Sequence, residues 1–409
     1  MGRIEWAATS VADCLVPVSS AGKTKIQARN YQSYGRFPVI DQGQEQIAGW
    51  TDDESAVIDA PLPLIVFGDH TRALKFVDFP FARGADGTQI LRPKPNIDPR
   101  FFFYACRDIN LPARGYNRHF SILKEKEIFL PPEMEEQKAI GAVLGRVEGA
   151  VMQQSALIHT LQELKRAAMR ELFTRGLRSE PQKETEIGQM PESWDIVPLG
   201  SLGKIGNGST PKKSTSAYWD GGTFPWLTSA KVYDRDITTT DQFVTDTALD
   251  ECHLPLVKAG AVLMAITGQG KTLGNCAVLR IDATISQHLA YLQTDTKQAE
   301  PSFIRAYLET QYEYLRQVAA GGGSTKGALT CAFLRSLRVP LPSKQVQGDT
   351  VAILDAIDRK IDSHRQKRTV LEELFKALLH KLVTGEIRVE DLGLSVLVDT
   401  QAWSEEVMA

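Results

Sequence analysis

The sequence predicts an α/β (α+β) chain in which two globular modules alternate with two long helices, paired as an antiparallel coiled coil with pseudo-twofold symmetry. Three observations predict it. A stretch of about fifty residues recurs once at a fixed spacing, its apolar positions follow the helical period without an interrupting proline, and the two blocks outside it are rich in Gly, Pro, aromatic and β-branched residues.

The repeat is read residue by residue. Leu161-Gln162-Glu163-Leu164-Lys165-Arg166-Ala167 returns as Leu371-Glu372-Glu373-Leu374-Phe375-Lys376-Ala377, an offset of 210. The same offset pairs Leu144 with Leu354, Val147 with Ile357, Val151 with Ile361 and Leu172 with Leu382. These positions recur every three or four residues, the stripe of a helix and, sustained this long, of a coiled-coil seam. Pro131-Pro132 and Pro342-Ser343 suit helix starts, and Gly176 and Gly385 suit stops. A helix from 132 to 175 spans roughly 65 Å at 1.5 Å per residue, which makes it a spacer. Gln154, Lys165, His364 and Arg368 sit at or beside stripe positions, where polar groups cost stability and fix register.

The predicted order is module 1–130, helix 131–176, linker 177–193, module 194–340, helix 341–386 and acidic tail 387–409. Strand-like runs such as Leu62 to Phe67 and Ala261 to Thr267 make the modules mixed α/β or mainly β. The linker is polar, acidic and punctuated by proline. Outside the helices the two modules share little. One has Phe37-Pro38-Val39-Ile40 and Gly68-Asp69-His70-Thr71-Arg72, the other Gly206-Asn207-Gly208-Ser209-Thr210-Pro211 and Phe224-Pro225-Trp226-Leu227. A common frame carrying different readers is the expectation.

Composition excludes several classes. No run approaches the eighteen or so apolar residues of a membrane span, and the start lacks a signal peptide, so the expected compartment is the cytoplasm. Five scattered cysteines with no Cys-x-x-Cys pair fit free thiols, and Cys252-His253 makes a poor chelate, so no metal is expected. The net charge of −3 is unevenly spread: residues 180–195 and 386–409 together hold −9, which leaves +6 on the remainder. That excess permits contact with phosphates.

Catalytic motifs are missing or out of context. Ala265 to Thr272 ends in Gly-Lys-Thr like a phosphate-binding loop, but its first glycine is Ala265 and Leu273 to Leu279 reads as a turn and another strand instead of a helix. Asp69 and His70 are adjacent, so their side chains diverge, and no nucleophile elbow accompanies them. Neither an Asn/Asp-Pro-Pro-aromatic segment nor a cluster of metal-binding carboxylates is visible.

The order module, helix, module, helix, with Leu130-Pro131-Pro132 and Leu341-Pro342 leading into the helices, resembles the specificity subunit of a type I restriction-modification enzyme. Further matching phrases are Tyr218 to Gly222 leading to Phe224-Pro225-Trp226, the Gly260-Ala261-Val262-Leu263 strand, Ser286-Gln287-His288 and Gly327-Ala328-Leu329. The resemblance spans nearly the whole chain. Glu136-Gln137 keeps the family's Glu-Gln helix start, and Val346-Gln347 departs from it. The resemblance implies a non-catalytic subunit whose two target-recognition domains each read one half of a bipartite site in double-stranded DNA. It implies that the helices dock two methyltransferase subunits, with restriction subunits as further partners. S-adenosylmethionine, and ATP with Mg2+ for restriction, then belong to those partners.

Duplex reading calls for Lys, Arg and small hydroxyls on phosphates and Arg, Asn, Gln or Lys on base edges. Candidates in the first module are Lys23, Lys25, Arg29, His70, Arg72, Arg114 and Arg118. In the second they are Asn207, Ser209, Thr210, Lys212, Lys213, Lys231, Gln269, Lys271 and Lys326. Residues 201–235 are locally basic through Lys204, Lys212, Lys213, Lys231 and Arg235, and the Gly206–Pro211 loop reads equally as a phosphate nest or a plain turn. Candidates for spacing and docking are Leu144, Val147, Val151, Leu161, Leu164 and Leu172, with their mates Leu354, Ile357, Ile361, Leu371, Leu374 and Leu382. The alternative is a coiled-coil adaptor whose modules bind protein, separated from the first reading by salt-sensitive, sequence-specific duplex binding.

Overall fold

Both proline-led segments form the long helices. The structure is a computed structural model that describes residues 6–18, 24–85, 87–112, 118–268, 270–321 and 327–393. It divides into two units, residues 1–156 with 364–409 and residues 157–363. Each unit therefore takes one part of each long helix.

In chain order the first unit holds β1 (Ala7–Ser10), β2 (Leu15–Val16), β3 (Phe37–Ile40), β4 (Gly49–Thr51), β5 (Leu64–Gly68), β6 (Leu74–Val77), β7 (Ala82–Arg83) and β8 (Thr88–Pro93). Then come α1 (Pro99–Asp108), α2 (Phe120–Glu125), β9 (Glu127–Leu130) and the start of α3 (Met134–Arg175). One sheet has the order β2-β8-β5-β6, a second β4-β3-β7, and β1 pairs with β9 beside the helix start. Asp98 caps α1 by accepting from the backbone N–H groups of Arg100 (3.0 Å) and Phe101 (2.8 Å), with Pro99 at the first helical position. The helix buries Phe101 to Cys106 in a core shared with Ile140, Val143 and Leu144 of α3 and with Leu379, Leu382 and Val383.

The second unit follows with β10 (Gln182–Thr185), β11 (Gly188–Pro191), β12 (Asp195–Pro198), β13 (Gly203–Asn207), β14 (Phe224–Leu227), β15 (Asp236–Ile237), β16 (Phe243–Val244) and α4 (Asp246–Glu251). After β17 (Ala261–Ala265), β18 (Cys276–Leu279), β19 (Thr284–Ile285) and β20 (Leu289–Thr294) come α5 (Pro301–Thr310), α6 (Tyr312–Gly321), α7 (Cys331–Ser336), β21 (Arg338–Leu341) and α8 (Lys344–Val383). Its sheets have the orders β13-β20-β17-β18-β15 and β16-β14-β19, with β12 pairing β21. The core sets Phe303 of α5 against Phe173 of α3 (5.4 Å between ring centroids) and Trp194 (6.0 Å).

The strand orders correct the expectation that the modules share little. Each contains the same sheet plan. Phe37-Pro38 and Phe224-Pro225 are equivalent: each pairs antiparallel with the next strand of the smaller sheet, at Thr51-Trp50 and Val244-Phe243. The following two residues pair parallel with Ala82-Arg83 and Thr284-Ile285. The duplication therefore includes the modules. It escapes a residue-by-residue comparison because short strands keep their pairings while loops and side chains change.

A buried glutamine repeats with equal fidelity. Gln137 accepts from the Asp98 N–H (2.8 Å) and donates to the carbonyls of Pro131 (2.9 Å) and Asn96 (3.4 Å). Gln347, its mate at offset 210, accepts from the Glu300 N–H (2.7 Å) and donates to Pro342 (2.8 Å) and Gln298 (3.2 Å). Each fastens the N-terminus of a module helix, α1 or α5, to the start of a long helix. The departure at Val346-Gln347 thus leaves the clamp intact.

The helix stops are as expected: Gly176 (φ 67°) and Gly385 (φ 73°) take the left-handed conformation that ends a helix. The segment expected as a linker carries the β10-β11 hairpin. The acidic tail begins packed, with Val389 in the core of the first unit and a 3-10 turn at Glu390–Leu392. Local polarity hid both, because a few buried apolar residues, Met190 and Pro191 in the hairpin and Val389 before the turn, suffice to anchor them. Among the described residues no helix is long and apolar enough to cross a membrane, and no group of three or more His, Cys, Asp or Glu is placed to hold a metal ion.

Candidate nucleic-acid interface

Sheet topology brings several candidates to one end of the second module. β13 and β17 both run antiparallel to β20, so the loops that follow β13 and β17 and the one that precedes β20 meet there. A chain of side-chain contacts joins them: Thr210 Oγ1 donates to Gln287 Oε1, Gln287 Nε2 lies 3.4 Å from His288 Nε2, and His288 Nδ1 lies 2.6 Å from Thr267 Oγ1. Gln287 and His288 are exposed. Neither was among the expected contacts, although the Ser286-Gln287-His288 phrase marked the place.

The Gly206–Pro211 loop is a strand exit, and the phosphate-nest reading is corrected. Gly208 N–H donates to Leu289 O (3.2 Å) and Ser209 N–H to Ile285 O (3.0 Å), so these two groups are spent within the module. A Cβ on Gly208 would sit 1.9 Å from the Ile285 carbonyl oxygen, which explains the glycine by close approach of two backbones. Trp226 Nε1 donates to Ser209 O and Trp219 Nε1 to Lys212 O, both at 3.2 Å, and the two indoles meet edge to face at 5.1 Å. The backbone under Lys212 is thereby fixed, while Lys212, Lys213 and Asn207 are exposed.

Two of the five bases in residues 201–235 have other work. Lys231 pairs with Asp234 at 2.5 Å. Arg235 reaches Asp236 (3.0 Å) and Asp358 of α8 (2.9 Å), and Asp358 also holds Lys165 of α3 at 3.0 Å. This part of the local basic excess is structural. Lys204, Lys212, Lys213 and Lys271 are exposed.

The loop resembling a phosphate-binding motif is pinned by α6. Tyr312 Oη donates to Lys271 O (2.6 Å) and Arg316 to Gly270 O (2.7 Å), after which a turn leads into β18. No helix opens after Thr272, so the context a phosphate-binding loop requires is missing, as the sequence predicts. Lys23, Arg114, Gln269 and Lys326 lie outside the described residues.

The first module places its bases in equivalent loops. Ile26 N–H donates to Arg83 O (3.0 Å) as Ser209 N–H does to Ile285 O, and Arg83 and Ile285 end the equivalent strands β7 and β19. Lys25, beside Ile26, and Arg29 are exposed on this loop. After β5, Asp69 is buried; its carboxylate accepts from Phe120 N–H (2.8 Å) and its carbonyl lies 3.0 Å from His119 Nδ1. The loop carrying His70 and Arg72 is held this way, as expected of a positioned loop. Arg72 itself has φ 64° and donates to Leu111 O at 2.7 Å, and Arg118 is exposed next to buried His119.

The helix candidates divide by burial. Leu144, Leu172, Leu354, Ile361 and Leu382 are buried, and Val147, Val151, Leu161, Ile357 and Leu371 are half-buried. Leu164 and Leu374, mates at offset 210, are 52% and 44% exposed, so they lie outside the packed stripe. In the first unit Gln154 Oε1 meets His364 Nδ1 at 2.7 Å, and Arg368 lies 3.5 Å from Glu372.

Residues 191–373 match the family model of the type I restriction modification DNA specificity domain. The chain is 27% identical over 322 residues to the putative type I restriction enzyme MjaX specificity subunit of Methanocaldococcus jannaschii, covering 74% of this chain and 71% of that one. It is 22% identical to the EcoR124I/EcoR124II specificity subunit of Escherichia coli, over 83% and 84% of the two chains. Among solved structures, the type I restriction-modification S subunit of M. genitalium superposes with a TM-score of 0.64 at 18% identity, over 94% of this chain and 97% of that one. A structure described as the basis of complex assembly and conformational transition of the type I restriction-modification system gives 0.54 at 19% identity, over 94% and 99%. Residues 191–373 thus match the type I restriction modification DNA specificity domain, in a chain similar to type I specificity subunits across both of its modules.

Proposed function

We propose that the chain is the DNA-reading subunit of a type I restriction-modification assembly and recognises a bipartite, asymmetric site, one module per half. The observation that carries this reading is the duplicated module plan with different residues at equivalent loop positions: Lys25 and Arg29 in one, Asn207, Thr210, Lys212 and Lys213 in the other. The same support serves two half-sites of different sequence. The long helices act as the spacer, paired as an antiparallel coiled coil about a pseudo-twofold axis. Contact between Gln154 and His364, which are each other's mates at offset 210, supports that axis, because symmetry mates touch only where the axis passes between them. Two readers on one face of a duplex are expected about one helical turn apart, about 34 to 36 Å.

Two modification subunits dock on the helices, with restriction subunits as further partners. The chain contributes recognition and no bond-making step; S-adenosylmethionine is held by the modification subunits, and ATP with Mg2+ by the restriction subunits. The exposed mates Leu164 and Leu374 offer apolar contacts for docking, since neither is used in the core of its own unit.

Salt dependence tests the phosphate contacts. Lys212→Ala with Lys213→Ala is expected to weaken duplex binding across sequences and to reduce the slope of log K against log salt by about 1.8, at about 0.9 per phosphate lost. Gln287→Ala is expected to change base preference at one position and leave the slope unchanged. The opposite assignment of effects would refute this sorting of contacts.

A further inference from the structure

The joint between module helix and long helices is built with opposite charges in the two units. The clamping glutamines hold Asp98 and Glu300, the residues before α1 and α5, in one alignment. Arg107 and Glu309 therefore occupy the same place in the last turn of each helix. In the first unit Arg107 pairs with Glu148 of α3 and lies 5.0 Å from the ring centroid of Phe375 of α8. Tyr104 Oη donates to the same Glu148 at 2.8 Å, and its ring meets Phe375 edge to face at 5.9 Å. In the second unit Glu309 meets Lys165 of α3 at 2.9 Å, and Lys165 also holds Asp358 of α8 at 3.0 Å.

At offset 210 Glu148 is the mate of Asp358, and Phe375 is the mate of Lys165. The long helices thus keep an acid at one position of the joint and vary the other, a ring in the first unit and a cation in the second. The module side varies with it, a base against acid and ring, an acid against acid and cation. Glu309 set in the first joint would face the Glu148 carboxylate beside a ring instead of a cation, and Ala306 stands where Tyr104 donates to Glu148. Arg107 set in the second joint would face Lys165, a like charge. Telling apart two seats of one plan needs such a repulsive element, since partly exposed ion pairs add little affinity of their own.

We infer that Phe375 and Lys165 assign each module to its own joint with the long helices: the ring admits the base of α1, the cation admits the acid of α5, and an exchanged module is repelled. They are positioning residues, acting through the module helix. The inference holds whatever the modules bind.

The test is a set of full-length chains read by amide exchange in α1, where opening reports release of the module helix from the long helices. Arg107→Glu gives the first joint the module charge of the second and is expected to speed exchange over Pro99–Asp108 by roughly tenfold or more. Phe375→Lys alone sets a cation beside Arg107 and is expected to speed it as well. Together the two changes rebuild the second joint, and exchange is expected to return to within about threefold of the unsubstituted chain. Arg107→Glu with Phe375→Leu, which keeps an apolar side chain and supplies no cation, is expected to stay fast. An unchanged rate in Arg107→Glu would overturn the proposal. So would equal rescue by Phe375→Leu, or a chain carrying Arg107→Glu and Phe375→Lys that exchanges as fast as either single variant or does not fold.

Discussion

Asp358 sits between cations from two other elements, Lys165 of α3 at 3.0 Å and Arg235 before β15 at 2.9 Å. Burial pushes its carboxyl up, but the two cations outweigh burial and hold it below its ordinary value of 3.8. A carboxylate depressed in the folded state contributes stability that is present above the unfolded pKa and is lost as pH falls through the folded one. Asp358→Asn takes one carboxylate from Lys165, which keeps Glu309 at 2.9 Å, and from Arg235, which keeps Asp236 at 3.0 Å, and is expected to cost about 1 to 2 kcal/mol near neutral pH. The variant should also lose part of the acid-induced fall in stability below about pH 4. Thermal unfolding across that range measures both, and an unchanged melting temperature near neutrality would contradict the role assigned here. The case also shows why single bases misled the sequence reading. Lys231 and Arg235 look as available as Lys212 and Lys213, and only the tertiary partners Asp234 and Asp358 separate them.

At the scale of elements, the long helices were legible because a period of 3.6 writes itself into consecutive residues. Offset mates such as Leu144 and Leu354 are buried where the stripe puts them, and Gly176 and Gly385 stop the helices where expected. The sheets were not legible to the same depth. Their strands are two to six residues long and pair with partners dozens of residues away, as Leu15–Val16 does with Pro93–Arg92, so no local period records the partner. The glutamine clamp lies between these extremes: Gln137 was noticed as a family feature, and its bonds to α1 needed the fold. Gln347→Leu removes the partner of the Glu300 N–H and of two carbonyls, of which that of Pro342 is buried, at an expected cost of about 1 to 3 kcal/mol. Hydrogen exchange in the first turn of α5 should then quicken while the first turn of α1 is unaffected. Gln137→Leu should do the reverse. Equal acceleration in both turns for either variant would show that the glutamines are not local clamps.

For the whole molecule, the sequence reading found the alternation of module and helix, and missed that the modules share a plan as fully as the helices do. That duplication changes the weight of the functional reading. Two copies of one support with different loop residues are what two unlike half-sites require, whereas a protein-binding adaptor has no need for equivalent loops to carry bases in both copies. If the helices set the gap, deleting one helical turn from both should change the number of unread base pairs in the recognised site and leave both halves alone.

The most direct measurement is the map of methylated sites produced by the chain with its modification partners, before and after residues 199–337 are replaced by the corresponding module of another specificity subunit. The account predicts that one half of the site changes while the other half keeps its sequence. Simultaneous change of both halves, or methylation at a single uninterrupted site, would contradict it.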